Sequence, residues 1–426
     1  MIELNIISGS VTLPAEAGAL VLLVLGVGRA PSRRAIVVIG SGLAVAAVAA
    51  TRIWSRPGSV PSSFPLWATA MVVAVAVAVR SWREVASARR LLAVTTIVVV
   101  GIAAGLTVNA HYGYYPTFAD LVHHPLPNQI AVANLPTAVA VTAVDRPRSA
   151  EIGQRLVPSR PIIGRLVQVQ IPNPKSKFVH RSEWVYLPPV WFSSPTPALP
   201  VVVMLPGTPG TTEDWIRGGG AVRTADRWAA RHHGRAPILV FADPNGSFTA
   251  DTECVDNRRH QVDTYLSHDV PAFVKRAFAT SSDPARWAIA GVSAGGTCAL
   301  TIALRHPDVY RVVVDLSGEL TPNLGGASVT LRTLFDGCAS HAASYDPLTL
   351  LKSNEYRATN IWFGAGRSDR SARRALEQLA SAAKRSRIDV VTSERGGGHT
   401  WRYWRRAFVD SFSWLNDTID RPGASL

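Results

Sequence analysis

The stretch Trp287-Ala288-Ile289-Ala290-Gly291-Val292-Ser293-Ala294-Gly295 decides how this chain is read. Its first four residues are a short apolar run of strand character, and a helical period continues from Gly295 through Cys298 and Leu304. Between the two lies Gly-x-Ser-x-Gly. Glycines on either side let a chain turn sharply with no Cβ in the way, so a strand feeding a helix through this turn lifts the Ser293 hydroxyl above a sheet. The five-residue pattern alone is weakly specific, and its placement between strand and helix carries the information. The bland alternative is a glycine-rich helix start with a capping serine.

The chain around this turn alternates strands with helices. Ile162–Ile171, Trp184–Leu187, Val201–Leu205, Ile238–Phe241, Trp287–Ala290, Val312–Leu316, Ile361–Phe363 and Ile388–Val391 read as strands. Ala221–His233, Val270–Ala279, Gly295–Arg305, Ser371–Lys384 and Thr400–Trp414 read as helices. Strands separated by helices require crossover connections and hence a mostly parallel α/β sheet flanked by helices, with an antiparallel pair at its start. The expected domain runs over residues 161–420, long enough for one large core.

A serine hydroxyl is a weak nucleophile near neutral pH and needs a positioned base, which in turn needs a group to fix its tautomer and stabilise its cation. Gly396-Gly397-Gly398-His399 follows the last strand, where a flexible loop can deliver an imidazole. Asp369, in the loop after Ile361–Phe363, is the expected acid. Glu319, after the preceding strand, is the alternative, and Asp369 would also serve as an N-cap for the helix near Ser371. A developing oxyanion needs backbone donors. Leu205-Pro206-Gly207-Thr208-Pro209-Gly210 leaves its strand in a turn that offers the Thr208 amide, and Ala294 offers the second. The histidine pairs His123/His124 and His232/His233 lack a companion metal motif, so no metal site is expected.

These residues resemble the α/β-hydrolase fold and, within it, the esterase group that includes esterase D and the antigen 85 mycolyltransferases. The matching pieces are Gly207-Thr208, Gly291 to Gly295, His306-Pro307-Asp308, Asp369 and Gly398-His399, within about Ile162 to Trp414. The resemblance implies a Ser293/His399/Asp369 triad and no cofactor. The full layout also resembles membrane-attached actinobacterial esterases, some of which are thought to remove amino acids from aminoacylated phosphatidylglycerol.

Residues 1–110 have a different character. Apolar segments at Val11–Gly28, Ala35–Thr51, Phe64–Val79 and Leu91–Ala110 each approach the roughly 20 residues that cover a bilayer core, so a four-helix transmembrane region is expected. Glu3 and the lack of Lys or Arg before the first segment argue against a cleaved signal peptide. Arg29, Arg33 and Arg34 in the first loop and Arg80, Arg83, Arg89 and Arg90 in the third outnumber Arg52 and Arg56 in the second. The positive-inside bias therefore places the N-terminus and everything after Ala110 outside the cytoplasm. Residues 111–160, rich in Pro and Tyr, read as an extracytoplasmic linker.

Composition agrees with a partly membrane-embedded chain: of 426 residues, 47% are apolar and 17% charged, against about 25% charged in soluble domains. The net charge of +14 is densest in the apolar part, and no Lys/Arg run is interleaved with aromatics, so nucleic-acid binding is not expected.

Asp251, Glu253, Asp256 and Asp263 form an acidic loop after the fourth strand, which as an exposed rim would hold a substrate ammonium. Trp215 and Trp401 are candidate apolar walls of the substrate site. An oxidising exterior permits one disulfide among Cys254, Cys298 and Cys338. Cys254–Cys298 is favoured because it ties the acidic loop to the nucleophile helix, and Cys254–Cys338 stays open. The resulting expectation is a membrane-anchored, extracytoplasmic serine esterase acting on an envelope-lipid ester, for which aminoacyl-phosphatidylglycerol is a candidate. Acyl transfer of mycolyl type to a sugar or lipid hydroxyl and a non-catalytic membrane scaffold are the alternatives.

Overall fold

The computed structural model describes residues 9–28, 67–75, 87–122, 126, 128–135 and 161–420. They fall into two compact units, each taken by itself below.

In the N-terminal unit, helices Gly9–Gly28 and Ser87–Tyr112 accompany a helical segment at 67–75. Ala19, Ala74, Val100 and Ala103 are buried together, and such small side chains let helix backbones approach closely. The Thr107 hydroxyl donates to Glu16 Oε1 at 2.6 Å, which gives this carboxylate a partner on an otherwise apolar helix. Among the described residues one helix, Arg90–Tyr112, is long and apolar enough to cross a membrane. Its 23 residues reach about 35 Å, against a hydrocarbon core of about 30 Å. Of the four expected spans, Ala35–Thr51 lies outside the described residues, and only 67–75 of Phe64–Val79 is described.

The larger unit is built on an eight-stranded sheet: β1 Arg165–Val169, β2 Glu183–Leu187, β3 Val201–Leu205, β4 Ile238–Phe241, β5 Trp287–Val292, β6 Val312–Leu316, β7 Asn360–Gly366 and β8 Asp389–Arg395. Their spatial order is β1-β2-β4-β3-β5-β6-β7-β8. β2 is antiparallel to both β1 and β4, and every pairing from β4 to β8 is parallel. All eight expected strands are present. The central runs Val-Val-Val-Met-Leu, Trp-Ala-Ile-Ala-Gly-Val and Val-Val-Val-Asp-Leu are buried throughout, because helices cover both faces of the sheet there. The edge strand β8 is part-exposed instead. Helix Ala294–Arg305 is buried from Ala294 to Leu304, which its Ala, Gly, Leu and Ile composition permits.

Two features depart from the sequence reading. Between β6 and β7 lie helices Ala327–Phe335, Ala339–Ala343 and Pro347–Ser353, where no helix was expected. They are short and cap one another, so no long apolar period announces them. Part of the expected linker also belongs to the sheet-bearing unit. The Ile130 N–H donates to Leu166 O at 2.9 Å, the Leu166 N–H to Asn128 O at 3.0 Å, and Leu135 is buried in the core.

Cys254 and Cys298 form a disulfide with their Cα atoms 5.5 Å apart, and Cys338 is an exposed free thiol. The bridge ties the loop after β4 to the second turn of helix Ala294–Arg305. Its sequence separation of 44 removes chain entropy from the unfolded state worth about 4 kcal/mol at most. Thiol titration of the full-length protein is expected to count one reactive cysteine in the non-reduced state and three after reduction and unfolding. Cys254→Ala/Cys298→Ala is expected to lower unfolding free energy by about 2–4 kcal/mol in denaturant melts. Three reactive thiols without reductant would contradict the bridge.

Candidate functional site

The site is assembled at the carboxyl edge of the sheet. Ser293 follows β5 at φ 55° and ψ −128°, a left-handed conformation that costs a non-glycine residue about 1–3 kcal/mol. Three hydrogen bonds hold it. The Ser293 N–H donates to Leu316 O of β6 at 3.0 Å, while its own carbonyl accepts from Gly296 N and Thr297 N as the helix begins. A Cβ at Gly291 would collide with the Gly295 carbonyl, and one at Gly295 with the Pro206 carbonyl. Both glycines of the motif are therefore required by close approach of backbone to backbone.

His399 lies in the loop after β8. Its Nε2 is 2.8 Å from Ser293 Oγ, and its Nδ1 is 2.6 Å from Asp369 Oδ2. An ionised carboxylate only accepts, so Nδ1–H donates to Asp369 and Nε2 is left to accept from the serine hydroxyl. Asp369 is buried, and its second oxygen accepts from the Ala372 N–H at 3.2 Å at the start of helix Arg370–Arg385. Asp369 thus caps the helix with one oxygen and meets the imidazole with the other. Helix capping orients the carboxylate that orients the imidazole. Glu319 is engaged elsewhere: its N–H donates to Thr297 Oγ1, and its carboxylate accepts from Asn323.

The turn after β3 packs against Ser293. A Cβ on Gly207 would sit 3.2 Å from Ser293 Cβ and from the Val292 carbonyl, so this backbone passes tightly against Ser293. Thr208 comes next, its hydroxyl accepting from Asn245 Nδ2 at 3.1 Å. Ala294 is the first residue of its helix, and an N–H there has no intrahelical acceptor. Arg181 braces the same turn, with Nη1 donating to Gly210 O at 3.0 Å and its fork gripping Asp243 at 2.6 and 2.9 Å. Burial pushes the Asp243 carboxyl up, but the hydrogen bonds and charge of Arg181 prevail and hold it below the usual carboxylate range.

Several expected substrate residues are placed differently. Trp215 is 1% exposed, its indole N–H donates to Leu205 O at 2.8 Å, and its ring meets Phe408 edge-on. It is a buried core prop beneath the turn after β3 and presents no face to a substrate. Trp401 opens the last helix, Trp401–Ile419, and is buried. The indole that meets His399 is Trp404, with ring centroids 4.9 Å apart and planes nearly perpendicular.

The acidic loop does not form an exposed rim. Glu253 is 3% exposed, Asp251 is half-buried, and Asp256 accepts from Thr264 Oγ1 at 2.5 Å. Asp263 is held by Arg305 at 2.6 Å and His306 at 2.5 Å. The disulfide draws this loop against the helix, and burial then forces its carboxylates to find internal partners. His306, from the His306-Pro307-Asp308 segment, serves this pairing at the far end of the nucleophile helix, a rise of about 18 Å from Ser293.

Sequence reasoning missed Asp315. It lies on β6 opposite Gly291, 3% exposed, with Oδ1 accepting from the Gly318 N–H at 2.8 Å, and it fills the space that a Cβ on Gly296 would need. An Asp inside an apolar strand was the available signal. Arg181 and Asn245 gave none, because their partners are distant in sequence.

The Putative esterase family model matches residues 181–415, more than half of the chain. A protein of Corynebacterium glutamicum is 32% identical over 336 residues, covering 76% of each chain. An acetyl esterase of Caldicellulosiruptor saccharolyticus is 23% identical over 52% of this chain and 85% of its own. Among solved structures, a ferulic acid esterase superposes with a TM-score of 0.51 at 18% identity, over 60% of this chain and 98% of its own. The Staphylococcus aureus fluorophosphonate-binding serine hydrolase FphF gives 0.50 at 18%, over 59% and 98%. At these identities the structures speak for the fold.

Burial pushes the Asp315 carboxyl up to about 7, against the opposing Gly318 hydrogen bond. Unfolded Asp titrates near 4, so between about pH 4 and 7 the native state keeps a proton that the unfolded state has lost. Stability from this group is full below pH 4 and falls as pH rises through that window. Asp315→Asn keeps the shape without the charge. Its unfolding free energy relative to wild type is expected to improve by on the order of 3 kcal/mol between pH 4 and 8 and then level off. A difference that stays constant over this range would refute the assignment.

With the strand order, the nucleophile turn and the matching family model in agreement, the chain belongs to the Putative esterase family and carries an ester hydrolase of the α/β-hydrolase fold.

Proposed function

We propose that this protein is a membrane-anchored, extracytoplasmic serine carboxylesterase that cleaves an ester of an envelope lipid through Ser293, His399 and Asp369. One observation carries the reading: the continuous hydrogen-bonded chain from the Ser293 hydroxyl through His399 to Asp369. The imidazole takes the serine proton as Oγ attacks the ester carbonyl, Asp369 stabilises the imidazolium, and the proton passes to the leaving alcohol. The amides of Thr208 and Ala294 receive the oxyanion, a donor of this kind contributing about 3–4 kcal/mol to the barrier. Water, activated by the same histidine, then releases the acid. The edge-on Trp404 limits how the imidazole can rotate away from Ser293.

The anchoring is supported by helix Arg90–Tyr112, whose unit turns Leu20, Leu91, Val98 and Ile102 outward. Placement outside the cytoplasm is supported by the arginine distribution and by the Cys254–Cys298 bridge, which an oxidising compartment preserves. An anchored catalyst meets its lipid in two dimensions. Aminoacyl-phosphatidylglycerol is the substrate to assay first, and with Glu253 buried the half-buried Asp251 is the loop carboxylate whose replacement tests an ammonium contact. The intact hydrogen-bonded chain favours catalysis over a scaffold role.

Fluorophosphonate is expected to label wild type and not Ser293→Ala, and that variant is expected to lose about 10⁴–10⁶ in kcat on p-nitrophenyl acetate. Asp369→Asn is expected to lose about 10³–10⁴ with KM little changed. Labelling that persists without Ser293 would remove the mechanism. A comparison of aminoacyl and N-acetylated aminoacyl esters tests the ammonium: equal rates, unaltered in Asp251→Asn, would exclude it. Lipid profiling of a deletion strain names the ester through what accumulates.

A further inference from the structure

A second feature lies on the outer side of the last helix. There helix Trp401–Ile419 faces helix Ala221–Arg231 across a cleft of about 430 Å³, a size typical of small-ligand sites. Its lining holds five arginines, Arg223, Arg227, Arg395, Arg405 and Arg406, against one carboxylate among the described residues, Asp410. Arg395 takes that carboxylate at 3.1 Å, and Arg405 donates to Gly218 O at 2.6 Å. Arg223, Arg227 and Arg406 are exposed. Four formal positive charges therefore remain in excess around one concave surface, where the protein wall focuses their field and water screens them less than on a flat face.

Like charges gathered in this way repel one another, and folding gains nothing from their proximity. An anion reverses the sign of that interaction. Guanidinium groups present planar paired donors that match phosphate oxygens, and several converge here from three separate elements. The N-terminal end of helix Ala221–Arg231 opens at Gly220, also in the lining, and adds its positive dipole end. A carboxylate ligand would use one such fork, whereas a tetrahedral anion can engage arginines from both helices at once.

We propose that this cleft is a phosphate-binding site, taking a phosphomonoester or phosphodiester anion. It is independent of the catalytic reading, because neither Ser293 nor His399 lines it. In sequence two of its arginines flank His399, Arg395 ending β8 four residues before it and Arg405 following six residues after.

The test uses the full-length protein in neutral detergent, titrated calorimetrically with glycerol 3-phosphate and with dihexanoyl phosphatidylglycerol. Arg227→Gln/Arg406→Gln is expected to bind at least one probe about tenfold or more weakly than wild type. The charge-retaining Arg406→Lys should recover part of the loss, and Arg374→Gln/Arg385→Gln, at exposed positions of helix Arg370–Arg385, should bind within about twofold of wild type. A tighter lipid arm identifies a phospholipid headgroup, and equal arms identify the phosphate alone. Melting curves establish that each variant folds, and the single Arg406→Gln replaces the double one if that fails. No binding by wild type, or equal weakening in the Arg374/Arg385 control, overturns the proposal.

Discussion

The turn at Ser293 is the constraint on which the rest of the site depends. A strand and a helix can meet at Ser293 only if the backbone enters the left-handed region there and passes within van der Waals contact of itself. Neither condition is met locally at no cost. The strain is offset by the bond from Ser293 N to Leu316 O, by the helix that starts at once after the turn, and by glycines that admit the close approach. The conformation then holds the hydroxyl at the edge of the sheet before any substrate arrives.

The same principle recurs around the turn, where residues that look catalytic are fixed by residues that are structural. Asp369 orients His399 with one oxygen because helix capping holds the other. The turn that brings Gly207 against Ser293 is held where Asn245 grips the Thr208 hydroxyl and Arg181, locked on Asp243, braces Gly210 two residues on. Trp215 supports the end of β3 from below through Leu205 O. Positional accuracy around Ser293 is thus supplied by a shell of hydrogen bonds from the segment before β2, the loop after β4 and the helices, in the manner that preorganised sites require.

Burial governs the acidic groups. Asp315 and Glu183 are buried within strands β6 and β2 and pushed up to about 7 and 8, whereas Asp243 and Asp263 are held low by adjacent cations. In each case desolvation comes first and the neighbour decides whether it is overcome. For this reason the loop after β4, which in sequence offers a run of carboxylates to solvent, in the folded protein offers few. The bridge between Cys254 and Cys298 holds the loop against the nucleophile helix, so Glu253 is buried and Asp263 meets Arg305 and His306.

The sequence by itself determined the eight strands, five of the helices between and after them and the turn at Ser293, and it singled out His399 and Asp369, which the fold brings together with that serine, because each rests on local chemistry: periodicity, β-branched runs, glycines where the chain must turn, and residue types in a required order. It could not determine which tryptophan faces the imidazole, since Trp401 and Trp404 differ by three residues on one helix and only its packing angle separates them. Nor could it find Asp315, Arg181 and Asn245, or gather five arginines from two helices and a strand end into one cleft. Those depend on contacts between residues tens to hundreds of positions apart, which local preferences do not encode and only the tertiary structure decides.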